Sequence, residues 1–312
     1  MGQFVHGIFS IILSRRMKFD RIERHQIDSN KWDECVRGSD NFRHYALTYF
    51  LDSTCEWIGL VYNDYESVWP LPVKGKLFKQ VYQPLLAQQL GPFQKGQVLD
   101  SDLTDVLSHL RKNYWRHSIK LNNSVGEIEH YETTENINIE LDLGQAYDSV
   151  VRSYKRTAVS NIKKATQNGL EFQTQAEFEP RVLQAFKLGR GNEIQILDEA
   201  FYTHVEQIYD AFSIRGEAET WSAYLNGEWI AGVMILKSQN RLLNFFTGTS
   251  SAAKNVGGSH FIIDQIIRAY AGGDWVFDFE GSNDENLGYF YRSFGGMQRI
   301  YLQVMSNWHF PI

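Results

Sequence analysis

The sequence predicts an α/β chain (α+β by some conventions) made of two domains, each a mixed central sheet flanked by helices. Three observations carry this expectation. The chain has 312 residues, 43% hydrophobic and 14% aromatic, enough to bury two cores of ordinary size. Its C-terminal third reads as a meander of three strands followed by helix, strand, helix and strand. Finally, Glu-Trp-Ile occurs twice, in EWIGLVY (56–62) and EWIAGVM (228–234). Each copy precedes another strand, a glycine-bearing turn and an amphipathic helix, a shared order that points to duplication of one unit.

Residues 1–16 stand apart as an extension and a candidate for disorder. FVHGIFSIIL (4–13) is apolar but too short to span a bilayer, and Arg15 and Arg16 follow the apolar run, the reverse of a secretory leader. Met17-Lys18-Phe19 reads as an ordinary protein start. The first domain is expected over 17–145. DSNKWDECVRGS is a helix with Asp28 or Ser29 as N-cap. HYALTYFLD, EWIGLVYND and SVWPLPV are β-rich runs separated by polar turns. VYQPLLAQQLGPF then leads to a helix, SDLTDVLSHLRKNYW, opened by Ser101 as cap, and NINIELDLG alternates as a strand.

The second domain is expected over 146–312. A helical pattern runs from Gln145 to Asn168 and stops at Gly169, in the left-handed position that helix ends favour. LEFQTQ is a short strand, and two helical stretches cover 178–213. ETWSAYLN, EWIAGVMILKS and RLLNFFTGTS are strands, the first two joined by the hairpin signal Asn226-Gly227. SHFIIDQIIRAYAGG is a helix with a glycine stop. WVFDFE is a strand, NLGYFYRSFGG a helix and YLQVMSNW the closing strand.

Bulk properties remove several function classes. A formal charge of -6 gives no general attraction to nucleic acid or anionic membranes, so a polyanion would need a local basic patch. Cys35 and Cys55 have no metal-ligand spacing and read as free thiols in a reducing cytoplasm. HExxH, GxSxG and Walker-type motifs do not occur, the nine histidines are scattered, and no metal is expected.

Chemistry concentrates in three places. In AKNVGGSHF, residues Lys254, Asn255, Val256, Gly257, Gly258 and Ser259 lie between a strand and a helix. Glycines there let backbone amides converge, and the helix N-terminus adds a positive dipole end suited to pyrophosphate; the same glycines also suit a tight turn that only reaches the helix. The matching turn of the first half, QQLGPF, has Pro92 without an N–H and a bulky Phe93. In FDFEGSNDENLGYFYRSFGG, Asp278 and Glu280 alternate with Phe277 and Phe279, so both acids project to one side of a strand. Glu280, at the strand end, is the better base, and Asp278 pairs or caps. Ser282, Asn283 and Asn286 could orient a substrate, with Ser282 or Asn283 capping the next helix. Phe290 and Phe294 share a core face, and Tyr289 and Tyr291 could pack beside them. Lastly, Arg152, Lys155, Arg156, Lys163 and Lys164 crowd the helix around 151–169 without an acid. Arg152 and Arg156 share a face, which fits a phosphate- or carboxylate-bearing acceptor or a solvated basic face.

The order strand, K-x-x-G-x-S (Lys254, Gly257, Ser259), helix, strand, then a helix carrying Tyr-x-x-x-Gly resembles the GNAT acyltransferase superfamily. The usual phosphate turn there is Gln/Arg-x-x-Gly-x-Gly/Ala, from which Lys254 and Ser259 depart mildly. DFEGS followed by YFYRSFGG, and the basic helix YKRTAVSNIKKATQNGLEF, are closer to the FemAB-like branch, which has two GNAT-like domains in one chain. This resemblance implies that the strand ending DFE splays from its neighbour to admit an acyl carrier. It implies that Tyr291 protonates the departing thiolate, that 254–259 hold the carrier, and that Asn161 and Lys164 contact the acceptor, beside Arg156 and Asn283, which charge and position already suggest. Three functions stay open. The first is N-acyl transfer from acetyl-CoA or another acyl-CoA to a small-molecule or peptide amine. The second is FemAB-like transfer from aminoacyl-tRNA, which alone would make tRNA a partner. The third is a catalytically silent small-molecule-binding protein of the same fold.

Overall fold

The computed structural model describes residues 19–96, 100–122, 128, 131–281 and 283–306; the extension expected at 1–16 lies outside them. The first half contains β1 (Asp20–Glu23), α1 (Ser29–Arg37), α2 (Thr48–Asp52), β2 (Trp57–Tyr62), β3 (Ser67–Lys74), β4 (Gln80–Val81), β5 (Phe93–Gln94), α3 (Asp100–Asn113), β6 (Arg116–Lys120) and β7 (Glu132–Asp142). The second contains α4 (Tyr147–Val151), α5 (Arg156–Gln167), β8 (Glu171–Gln175), α6 (Pro180–Leu188), α7 (Glu199–Ser213), β9 (Ala218–Leu225), β10 (Glu228–Ser238) and β11 (Arg241–Thr249). It closes with α8 (Ser251–Val256), α9 (Gly258–Tyr270), β12 (Val276–Gly281), α10 (Glu285–Arg292) and β13 (Met297–Met305).

One mixed sheet crosses the molecule in the order β1-β2-β3-β4-β6-β13-β7-β12-β11-β10-β9-β8, with β5 paired to β3. Its middle joins the halves by exchange. β13, the last strand in sequence, pairs antiparallel with β6, while β7 lies between β13 and β12. Parallel pairing occurs twice, between β4 and β6 and between β11 and β12. The two halves therefore repeat a pattern in which one parallel step follows an antiparallel meander. Asn226 and Gly227 both take positive φ, the turn that Asn-Gly favours between β9 and β10.

Most expected elements form, and the exceptions have local causes. HYALTYFLD was expected as a strand; it folds instead as a 3-10 turn (His44–Ala46) and α2. Asp33 captures the start of α2, accepting from the Thr48 amide at 2.7 Å and its hydroxyl at 2.9 Å. A short apolar run reads the same way for a buried strand and a buried helix, and this cap decides it. The single helix expected over 145–168 is two, α4 and α5, broken where the Lys155 amide donates to the Ser293 carbonyl at 2.8 Å. Ser101, expected as a cap, lies one residue inside α3. Asp28 caps α1 and Gly169 takes φ +70 after α5, as expected.

Three apolar clusters pack against the sheet. One lies under α1, α2, α6 and α7 and spans both halves, with Phe50 and Phe212 beside Phe245 and Phe246 of β11. A second holds α5, α9 and α10 against β9 to β12. The third packs α3 on β2, β3 and β6. Among the described residues no helix is long and apolar enough to cross a membrane.

Candidate active site

The site begins with a parting of strands. β11 continues to Thr249, but its pairing with β12 ends at Leu243 opposite Asp278. Beyond that point β12 stays paired with β7 alone, with a register shift between Asp278 and Gly281. The residue at the bend is Glu280, held at φ +63. A left-handed glutamate costs about 1–3 kcal/mol and persists where surrounding contacts fix it. Here its amide donates to Asp278 Oδ1 at 3.0 Å, and Tyr45 Oη donates to its Oε1 at 2.8 Å.

Two clefts meet at this carboxyl. An apolar cleft of about 720 Å³ fills the gap beside β11, between Phe245 and Phe246 on one wall and Phe290 and Tyr291 on the other. A polar cleft of about 570 Å³ opens among Lys74, Arg116, Lys120, Gln88 and Asn283. Glu280 lines both. As a residue it is half-buried because it fronts two clefts, but its carboxyl sits deep among protein atoms. Burial pushes its pKa up to about 8; the Tyr45 hydrogen bond and the Lys120 charge pull it down, and Asp278 pushes it up.

Asp278 pairs, as its inner position suggested. Arg241 Nη1 lies 2.7 Å from Asp278 Oδ2 and 2.9 Å from Glu140 Oε1, and Arg43 Nη2 lies 3.2 Å from that same Glu140 oxygen. Two guanidinium and two carboxylate groups thus balance beneath the bend. Burial, with Arg241 nearby, lowers the Arg43 pKa to about 10, still well above neutral pH.

Tyr291 projects from α10 into the apolar cleft, its ring stacked on Phe279 at 4.9 Å. Burial raises the phenol pKa and the charge of Glu280 adds to the shift, so it remains a proton donor at neutral pH. Asn244 Nδ2 approaches its hydroxyl at 3.5 Å. His260 lines the same cleft; burial lowers its pKa to about 4, leaving a neutral ring edge-on to Phe290 at 4.7 Å.

The expected open turn over 254–259 takes another form. Ser250 accepts from the Ala253 amide and starts α8, so Lys254, Asn255 and Val256 are helical. Gly257 then takes φ +80, its amide donating to the Ala253 carbonyl, and α9 starts at Gly258. A Cβ on Gly257 would sit 2.3 Å from the Asn161 carbonyl oxygen, so this glycine serves a close approach of α5. No side chain caps the first amides of α9, and Ser259 and His260 face the cleft there. In the first half, Pro92 gives its carbonyl to Asn41 at 2.8 Å and Asn122 at 2.7 Å, so that turn is used for packing.

Of the acceptor candidates, Asn161 lines the apolar cleft and Asn283 the polar one. Asn283 accepts from the Ile137 amide at 3.2 Å and donates to Asn136 Oδ1 at 3.0 Å, tying the bend to β7. It does not cap α10: Asp284 does, accepting from the Leu287 amide at 3.0 Å, and Ser282 lies outside the described residues. Arg156 and Lys164 are exposed on α5 and line neither cleft. No local pattern pointed to Tyr45, Lys120, Arg241 or Glu140, which reach the site from distant segments. Among the described residues no cluster of ligating side chains could hold a metal ion.

Comparison with known proteins bears on the fold and the family. Residues 152–290 match the family model for the acetyltransferase (GNAT) domain. Among solved structures, FemX aligns over 91% of this chain and 96% of its own with a TM-score of 0.64 at 12% identity. A tandem GNAT protein from the clavulanic acid biosynthesis pathway aligns over 94% of this chain and 100% of its own, with a TM-score of 0.54 at 10% identity. The C-terminal domain of a putative lysylphosphatidylglycerol synthetase from Agrobacterium fabrum aligns over 90% and 92%, with a TM-score of 0.56 at 9% identity. No curated protein sequence matches the chain. Residues 152–290 match the GNAT domain model, a likeness that points to a transferase, and the chain as a whole has the fold of the tandem GNAT-like proteins, FemX among them.

Proposed function

We propose that the protein is an N-acyltransferase that moves an acyl group from an acyl-CoA thioester in the apolar cleft to an amine in the polar cleft. One observation carries the reading: Glu280 lines both clefts, at the point where β11 and β12 part. An amine entering beside Lys120 attacks the thioester carbonyl, forming the C–N bond and breaking the C–S bond. Glu280 takes the proton the nitrogen loses, and Tyr291 gives one to the departing thiolate. Holding both reactants at one carboxyl supplies orientation, and the edge of β11 left open by the parting offers backbone amides to the developing oxyanion. Lys74, Arg116 and Lys120 favour an acceptor with an anionic group near its amine. Lys254 and the N-terminus of α9 would meet the carrier's phosphates. The free thiols of Cys35 and Cys55 accord with a reducing compartment such as the cytoplasm.

A second reading, transfer from an aminoacyl-tRNA, is favoured by one feature. α8 uses the amides of 254–257 internally and Gly257 abuts α5, which leaves a shorter cradle than a pyrophosphate turn offers. Thermal unfolding with saturating acetyl-CoA, and separately with tRNA, tests the two. A ligand at a hundredfold over its Kd stabilises by about 2.7 kcal/mol, a rise of roughly 5–10 °C. A rise with acetyl-CoA that is lost in Lys254→Glu supports the first reading. A rise with tRNA alone supports the second, and no rise with either leaves a binding protein of this fold.

A further inference from the structure

The turn between β3 and β4 carries the two features of a membrane-surface contact. Leu77 is 91% exposed and Phe78 57% exposed, and Lys74, Lys76 and Lys79 are exposed around them. The sequence holds no acidic residue from Ser67 to Leu99, although the chain is net acidic. None of the salt bridges among the described residues involves these three lysines. The tip is ordered by its own backbone. Val73 pairs with Val81 and Lys74 with Gln80, while Gly75, at φ +87, packs so close to the Phe78 carbonyl that a Cβ would lie 2.5 Å from it. The Phe78 ring rests on Trp115 at 4.8 Å, and the Lys74 ammonium lies over Tyr82 at 4.5 Å. An aliphatic residue held open at a hairpin tip, flanked by an aromatic pair and three ammonium groups, has its apolar atoms where acyl chains would be and its charges where headgroup phosphates would be.

We propose that this hairpin tip docks the protein on an anionic lipid surface. Charge complementarity selects the occupant. The exposed Leu77 gains nothing from stacking on nucleic-acid bases but does gain from entering an interface. Docking would also aim the polar cleft at the bilayer, because Lys74 and Gln80 of this hairpin form its rim. The proposal stands apart from the catalytic reading, since it concerns where the cleft opens and not what reacts in it.

Co-sedimentation of the full chain with vesicles tests it. Vesicles of phosphatidylcholine mixed with phosphatidylglycerol should bind the protein, and vesicles of phosphatidylcholine alone should not. Leu77→Ser with Phe78→Ser should weaken binding at least tenfold. Lys76→Glu with Lys79→Glu should weaken it more and remove its salt dependence, each lysine near an anionic surface being worth about fivefold. All four positions are exposed, and unchanged thermal unfolding would verify that the variants fold. Absence of binding to the anionic vesicles, or equal binding by both variants, overturns the proposal. So does tRNA binding that is lost in the lysine variant while vesicles are ignored, which would make the hairpin a nucleic-acid contact.

Discussion

Replacing Glu280 by Gln should change how stability depends on pH. In the native chain the carboxyl titrates at about 8 instead of its ordinary 4.5, chiefly because burial penalises the charged form. Below about pH 4.5 the group is protonated folded and unfolded alike, and the favourable burial of the neutral form is fully present. As pH rises, the unfolded chain releases this proton first, so the folded state loses stability by about 1.4 kcal/mol per pH unit until the folded group also ionises. Across the window the loss amounts to roughly 3–5 kcal/mol, the lower value allowing for water in the two clefts. Gln keeps the shape and the Tyr45 contact but does not titrate. Urea unfolding of wild type and Glu280→Gln, at intervals from about pH 5 to about pH 9, isolates this group because other titrations largely cancel in the difference. The variant should gain on the wild type steadily as pH rises to about 8 and then level off. A difference that stays flat within about 1 kcal/mol would refute the buried, proton-holding environment, and with it the basis for a base poised near neutral pH.

Other variants probe the neighbours. Tyr45→Phe removes the hydrogen bond that favours the carboxylate, so the pH–rate profile of amide formation should move to higher pH; an unmoved profile would detach Tyr45 from the base. Tyr291→Phe keeps the ring on Phe279 and should lower kcat about 10²-fold or more with little change in Tm, whereas an unchanged kcat would reduce Tyr291 to packing. Gly257→Ala must fit a Cβ 2.3 Å from the Asn161 carbonyl at positive φ, and chemical denaturation should find it about 2–4 kcal/mol less stable. Arg241→Met strands Asp278 and leaves Glu140 with Arg43 and a more distant Arg299, and should cost about 3–5 kcal/mol, readable as a lowered urea midpoint.

The parts legible in the sequence were those set by local rules. Asn226-Gly227 fixes its hairpin, Asp28 its helix start, and the spacing of Asp278 and Glu280 places both acids on one strand with the inner one paired. What was not legible depended on contacts far apart in the chain. HYALTYFLD becomes helical because Asp33 caps it, and that turn is what brings Tyr45 to Glu280, a separation of 235 residues. Lys254 to Val256 coil because Ser250 caps them, a signal present in the sequence but outweighed by the glycines that follow. The basic residues of α5 suggested an acceptor site; the cations at the polar cleft come instead from β3 and β6, in the other half of the chain.

The exchange of strands explains why the site cannot belong to one half. Glu280 sits on β12, but its hydrogen-bond donor Tyr45 and its countercharge Lys120 come from the first half, and the pin at Asn283 holds β7. β7 in turn is fixed between β12 and β13, and β13 pairs with β6, the strand that carries Lys120. Each of these contacts acts on the same carboxyl: burial raises its pKa, Tyr45 and Lys120 restrain the rise, and the Asp278 pair holds the backbone in its costly left-handed bend. A fragment limited to the matched domain, 152–290, would keep Glu280 but lose Tyr291, Tyr45, Lys120 and β7. Its carboxyl would then lose the hydrogen bond and the countercharge that restrain its pKa. The matched domain supplies most of the apolar cleft, and the other half tunes the acid that stands in it.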